Sequence, residues 1–454
     1  MSTTTASAPV ADRRNLGILA ALVVCAGLGF LARSVPGTSL AQFIGVIPII
    51  LILGLLFLQV NMLVAALAGG VMAMIIGSIG IDQANKGLLE AVPKMLSITV
   101  PIINSAIAMA VFKAGGYSSA LTLVRRNIGG RVEYVGAFIV ILQAAATYMS
   151  GIGGGSAMVI APLAFAAVGA IPAVIAGMSI AAAASFTTSP ASLESAVVSQ
   201  LSGTPIGDYV VTMRPYWLLF CAIAIVIAFV GTLRAKSLFK GEESEEFKAM
   251  SNGELWKRTI PAIFLLFAVI AGPFVNKLFG GPVLGPVVYA TVTVALVYFC
   301  SAFTLNQSVD AMVDGSSYIL TRLFQVGLFL IFIGIIEKTG AFATIAGFVK
   351  IVPLAMVVPA AVLAGFAIGF PAGAYVGSIL VLILPIAVAL GFSPLAIGFV
   401  TMGVGFGSQV SLVNITMQAL SAGFRISLVD VSKGNAPFVL SCLALLLVLS
   451  FVMV

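Results

Sequence analysis

The sequence predicts an all-α polytopic membrane protein with about 11 transmembrane helices plus two re-entrant helical hairpins, arranged as an inverted repeat. Three observations predict it. Of 454 residues, 61% are hydrophobic and 8% charged, which no soluble globular composition approaches. Apolar runs long enough to cross a roughly 30 Å hydrocarbon core recur along the chain, without the short alternating segments of a barrel. Two glycine- and serine-rich stretches, SGIGGGS from Ser150 and PAGAYVGS from Pro371, interrupt such runs at matching places.

The first apolar run, Leu16 to Leu31, follows Arg13 and Arg14 but leads into no small-residue cleavage site before a soluble domain, so it reads as a retained span. Spans then read 16–33, 39–60, 62–80 and 97–113, followed by a broken region at 134–170 and spans at 171–200 and 213–234. KGEESEEFKAMSNGELWKR, ending at Arg258, is the only strongly hydrophilic internal stretch and divides the chain in two. Beyond it come spans at 258–276, 282–302 and 318–336, a second broken region at 351–391, and spans at 394–420 and 434–453. The expected organisation is an N-terminal tail and first helix (1–38), a first repeat (39–234, with hairpin 134–170 and broken helix 171–200), a cytoplasmic linker (235–257) and a second repeat (258–454, with hairpin 351–391 and broken helix 394–420).

With the N-terminus inside and each hairpin entering and leaving by one face, most of the 22 Lys and Arg residues fall on the cytoplasmic side. That asymmetry accounts for the +7 net charge and removes the case for a nucleic-acid partner. The chain has no histidine, so the commonest general base, metal ligand and proton relay are missing together, and an enzyme is not expected. Its four cysteines all lie in apolar runs without a CxxC and read as inert. No cofactor is expected beyond Na+ as a coupling ion.

The halves resemble each other. Lys113, Gly115 and Tyr117 align with Lys338, Gly340 and Phe342, Gly151 with Gly373, Gly155 with Gly377, Ser156 with Ser378, Pro172 with Pro394, and Arg214 with Lys433. An odd number of crossings in each half makes the repeat inverted. Non-helical backbone at membrane depth survives only where protein or a water-filled cavity satisfies it, so SGIGGGS and PAGAYVGS should be hairpin tips dipping in from opposite faces. Each hairpin precedes an interrupted span: ASFTTSPASLES, unwound at Pro190 and its hydroxyl residues, and GVGFGSQVSLVN, unwound at its alternate glycines Gly403, Gly405 and Gly407.

Tips and breaks should therefore converge at the midplane. Helix N-termini there offer amides to a carboxylate, and helix C-termini offer carbonyls to a small cation. The candidate substrate residues are Ser150, Gly151, Gly153, Gly154, Ser156, Thr188, Ser189, Gly373, Ser378, Gln409, Ser411 and Asn414. The candidate cation residues are Ser150, Thr187, Ser189, Ala372, Gly407 and Ser408. Glu194, the one acidic residue well inside a first-half span, is the coupling candidate, as a proton carrier or a partner for a cation. Arg425 reads as a topology charge, Glu337-Lys338 as a span-end pair, and Trp217 and Trp256 as interfacial anchors at opposite faces.

The order of spans, the approach GGYSSALTLVRR, the hairpin, the proline-started broken span and the mirrored second half resemble the ion transporter superfamily over roughly residues 40–454. Within it the pattern most resembles the anaerobic C4-dicarboxylate carrier branch, related to citrate, gluconate and lactate permeases. Sodium-dependent dicarboxylate members carry Ser-Asn-Thr at each tip; Ser150-Gly151-Ile152 and Ala372-Gly373-Ala374 stand there instead. The resemblance implies a homodimer in a bacterial inner membrane, with the outer spans as scaffold and the hairpins and broken spans moving as an elevator. The function expected is secondary transport of a small organic anion, a di- or tricarboxylate such as succinate, fumarate, malate or citrate, with Na+ favoured over H+ as the coupled cation. A cation/proton antiporter and an anion/anion exchanger remain open at this point.

Overall fold

The computed structural model describes residues 13–36, 38–58, 60, 62–96, 99–128, 131–235, 249–281, 283–349, 353–370, 376–412 and 414–454, and these are wholly helical outside turns and short connections. The first half runs α1 (Arg13–Ser34), α2 (Ser39–Phe57), α3 (Met62–Gly77), α4 (Ile81–Leu96), α5 (Thr99–Lys113), α6 (Gly116–Ile128), α7 (Val132–Ser150), α8 (Gly153–Val168), α9 (Pro172–Thr188), α10 (Leu193–Ser202) and α11 (Ile206–Ala235). The second runs α12 (Asn252–Leu278), α13 (Pro286–Cys300), α14 (Leu305–Glu337), α15 (Ala341–Val349), α16 (Leu354–Gly369), α17 (Val376–Ala389), α18 (Pro394–Ser408), α19 (Ile415–Phe424) and α20 (Leu428–Val452).

Helix boundaries follow local chemistry. Pro172 and Pro394 open α9 and α18 at positions where a missing N–H costs nothing. Thr304 and Gln307 close a reciprocal capping box on α14. Ser192 and Asn414 cap α10 and α19 with their side-chain oxygens. Left-handed residues end both of these short helices, Gly203 at φ 72° and Arg425 at φ 56°.

These caps fix the register of the repeat. Pro172 and Pro394, Ser192 and Asn414, Gly203 and Arg425, Asp208 and Asp430, and Pro215 and Pro437 all pair at one constant offset. The expected pairing of Arg214 with Lys433 is thereby corrected: Arg214 corresponds to Ala436, because the prolines rather than the charges set the register. Environment agrees, since Arg214 is buried and Lys433 exposed. The two halves of the chain interlock, with α8 packed along α19 of the opposite half and α17 packed along α10.

Length and apolarity qualify four segments as spans, at Val132–Ser150, Pro172–Ser202, Ile206–Ala235 and Leu428–Val452, and a fifth if the α5–α6 pair, bent by 52°, counts as one. Shorter apolar helices of 10–17 residues also occur among the described residues, among them α16 and α17 of the second hairpin. For a hairpin arm that is the expected length.

Three amphipathic or short helices fall where the sequence reading placed no span. α4 carries Asp82, Lys86 and Glu90 with an apolar stripe that packs on α14, α6 carries Arg125 and Arg126 beside α12, and α15 leans on α2 and α17. In α4, charges every turn hid a 3.6-residue apolar period from a search for long apolar runs, while α6 and α15 are too short to register as such a run. The fused helix α14 lies along both α4 and α5, where Lys113 meets Asp314 at 3.0 Å.

The role expected of Gly403, Gly405 and Gly407 needs correcting. All three are helical and buried in α18, and the break comes after Ser408. A Cβ on Gly407 would run into the carbonyl of Phe366, and one on Gly403 would come 2.7 Å from the carbonyl of Val362, so these two let α16 and α18 touch backbone to backbone. Gly407→Ala should therefore cost about 1–3 kcal/mol of stability. A melting temperature several degrees below wild type checks it, with Gly54→Ala, which faces open space, unchanged.

Candidate functional site

The first hairpin turns in two residues. α7 ends at Ser150, Gly151 adopts φ 69° and returns its N–H to the carbonyl of Thr147 at 2.7 Å, and Ile152 is extended before α8 begins at Gly153. The Ser150 hydroxyl donates to the Ala146 carbonyl at 2.7 Å and accepts from Ile152 N–H at 3.1 Å. Ser156 donates to the Ile152 carbonyl at 3.0 Å. Both serines brace the turn from inside.

The tip is clamped to the first break, residues 189–192. The Ser189 hydroxyl donates to the Tyr148 carbonyl at 2.5 Å and accepts from Ala191 N–H at 2.9 Å. Thr187 and Thr188 return their hydroxyls to Ala183 and Ala184, both at 2.7 Å, and the Thr187 carbonyl accepts from the Tyr209 hydroxyl at 2.7 Å. Trp217, expected as an interfacial anchor, is instead 6% exposed, stacked on Tyr148 at 4.1 Å with its indole N–H on Ser185 at 2.9 Å. Its neighbours Arg214 and Tyr216 made the stretch look interfacial, but α11 starts at Ile206 and carries all three inward of its first turn. Trp256, at 55% exposure, stays on the surface.

The second break runs from Gln409 to Asn414. Ser408 donates to the Gly405 carbonyl at 2.6 Å and accepts from the Gln409 amide at 2.9 Å. Gln409 in turn accepts from Ser179 at 3.0 Å, and its backbone carbonyl takes the Asn435 amide at 3.2 Å. Ser411 is buried in the break, Ser378 is buried in the first turn of α17, and the Gly407 carbonyl accepts from Gln409 N–H. Ala372 and Gly373, expected from the sequence at the second hairpin tip, lie outside the described residues.

Between tip and breaks lies a polar cavity of about 70 Å³, lined by Gly151, Ile152, Gly153, Gly154, Phe186, Glu194, Val376, Asn414, Ile415 and Thr416. The first turns of four helices reach it: α8 at Gly153, α10 at Glu194, α17 at Val376 and α19 at Ile415. A helix start carries the positive end of a dipole, and in α10 and α19 the caps Ser192 and Asn414 already take one amide each, from Ser195 and Met417. The glycines make this approach possible, since a Cβ on Gly154 would come 2.6 Å from Ile415 and one on Gly153 3.0 Å from the Thr416 hydroxyl.

The structure thus brings Gly151, Gly153, Gly154, Asn414 and Glu194 to the cavity wall. Ser150, Ser156, Thr187, Thr188, Ser189, Ser378, Ser408, Gln409 and Ser411 are buried around it without lining it. Sequence reasoning missed Phe186 and Thr416. Thr416 was within reach, because the constant offset between the halves pairs it with Glu194, and both line the cavity, one with a carboxylate and the other with a hydroxyl.

No protein-family model matches the chain, and no curated protein matches it. Among solved structures it is similar to the Alcanivorax borkumensis YdaH transporter, whose crystal structure has an unusual topology, at 17% identity and a TM-score of 0.53 over 82% of this chain and 89% of that one. At that identity the likeness is one of fold alone.

Proposed function

We propose that the chain is a secondary active transporter of a small organic anion, a di- or tricarboxylate, bound between the hairpin tips and coupled to a cation. One observation carries the reading: four helix N-termini reach a single polar cavity. Their amides suit a carboxylate without requiring a basic side chain, and none of the residues lining the cavity is basic. Glu194 lines the same space, so an anion entering it meets a carboxylate whose charge a co-transported cation would offset. The carbonyl ends of α9 and α18 at Thr188 and Ser408 supply oxygens for Na+, and we favour Na+ over H+ on that ground.

An elevator motion and a homodimer are proposed with it. The packing supports the division of the chain: the hairpin arms and broken helices α7–α11 and α16–α20 pack mainly on one another, and meet the rest chiefly where α5 and α6 touch α7 and where α14 and α15 touch α17.

Uptake of labelled succinate, fumarate, malate, citrate, lactate and gluconate into proteoliposomes, under a sodium gradient and separately a proton gradient, tests the reading. Sodium-driven accumulation of one di- or tricarboxylate is expected. Movement of no anion under either gradient or in exchange would overturn the proposal and favour a cation/proton antiporter.

A further inference from the structure

The wall of the polar cavity is unequal between the two halves. At the constant offset that pairs Pro172 with Pro394, two pairs of positions line it with both members, Gly154 with Val376 and Glu194 with Thr416. Neither pair matches. A ligand whose two ends are alike, such as an unsubstituted dicarboxylate, gains nothing from that difference, whereas a ligand whose ends differ can be read by it.

Hydrogen-bonding capacity shows what the difference reads. The Thr416 hydroxyl both donates and accepts. Asn414 spends its side-chain oxygen on the Met417 N–H at 3.1 Å, and the other end of its amide is a donor. Glu194 is the one carboxyl group among the described residues that line the cavity. Its two oxygens offer about four lone-pair sites, enough to take a hydrogen from a ligand beside those that the protein supplies. The carboxylates of a substrate are acceptors too and bring it no hydrogen, and the methylene or vinyl carbons of succinate and fumarate bring none. A hydroxyl or an ammonium group does.

Building on the transport reading above, we propose that the substrate carries a hydrogen-bond donor, a hydroxyl or an ammonium group, on a carbon that bears one of its carboxylates, and that Glu194 is the residue that selects it by accepting that hydrogen. A site that hydrogen-bonds a substrate hydroxyl rejects the analogue lacking it far more strongly than apolar contact can. Because the carboxylate and the donor on that one carbon go to different partners, the site also tells mirror images apart.

Counterflow in proteoliposomes, which needs no gradient, tests the selection. Vesicles loaded with one acid take up the same labelled acid from outside, and half-saturating concentrations are compared for L-malate, D-malate and L-aspartate against succinate, and for citrate against tricarballylate. A hydrogen bond to a charged group is worth about tenfold in affinity or more, so at least one donor-bearing acid should half-saturate about tenfold below its unsubstituted analogue. If that acid is malate, its two enantiomers should differ threefold or more. Glu194→Ala, or Glu194→Leu with the space filled, should bring the two acids of each pair to within about twofold. Glu194→Gln keeps an acceptor oxygen without the charge, so it should hold a threefold or greater preference for a hydroxyl and lose one for an ammonium group, which separates the two donors. Each comparison is a ratio on one variant, so a lower yield of folded protein leaves it unmoved. Equal half-saturation within every pair in wild type, or a preference undiminished in Glu194→Ala and Glu194→Leu, would overturn the proposal and leave transport standing. Counterflow of none of these acids would overturn the transport reading and this inference with it.

Discussion

Gly151→Ala should lower transport by about two orders of magnitude while the protein still reaches the membrane. Gly151 sits at φ 69°, where a Cβ costs roughly 1–2 kcal/mol. Alone that penalty is tolerable, and Gly203 makes the comparison, since it has φ 72° with open space around it. Gly203→Ala should pay only the backbone term and retain most activity. At Gly151 the added carbon also runs into the carbonyl of Ala191, inside the break between α9 and α10. It would push the hairpin tip off the break and open the Ser189–Tyr148 clamp, displacing two of the four helix N-termini from the cavity. A misplacement of an ångström at such a site is enough for a hundredfold loss. Initial uptake rates of the two variants, normalised to protein in the vesicle, measure the difference. Equal rates would mean that contact between tip and break does not matter for transport.

How far the sequence reached is instructive at the same residues. SGIGGGS was legible as a tip because glycine and serine in an apolar run have few uses other than a turn or a close approach. The break at Ser189–Ser192 was legible for a similar reason, with Pro190 unable to continue a helix. GVGFGSQV misled, because glycine spaced every second residue weakens a helix in isolation, yet Gly403 and Gly407 stay helical in α18, where their missing Cβ atoms leave room for the carbonyls of α16, a contact that only tertiary packing supplies. Trp217 misled in the same way: a tryptophan beside arginine and proline has the composition of an interface, and its burial depends on α7 lying across it. The hydroxyls of Thr187, Ser189 and Ser408 could be read as cavity donors from sequence, but which way each points is decided by backbone carbonyls one turn back or on the neighbouring hairpin.

Glu194→Gln should separate the carrier from the alternatives, and its effect follows from where the carboxylate stands. Glu194 occupies the first turn of α10, where the dipole favours its negative charge, and it faces the same cavity as the first turns of α8, α17 and α19. An anionic substrate there sits near a second negative charge, and at about 4 Å such a pair repels by roughly 1–4 kcal/mol for effective dielectric constants between those of water and a protein surface. A co-transported cation that removes this repulsion ties the two movements together. Glutamine keeps the shape and removes the charge, so the anion no longer needs the cation in order to bind. The expected outcome is at least a tenfold loss of gradient-driven accumulation, with anion-for-anion exchange retained. A cation/proton antiporter would instead lose all activity, because its only cavity-lining carboxylate among the described residues is the one that carries its ion. Undiminished gradient-driven accumulation in Glu194→Gln would take Glu194 out of coupling altogether and leave the carbonyl ends of α9 and α18 to hold the cation alone.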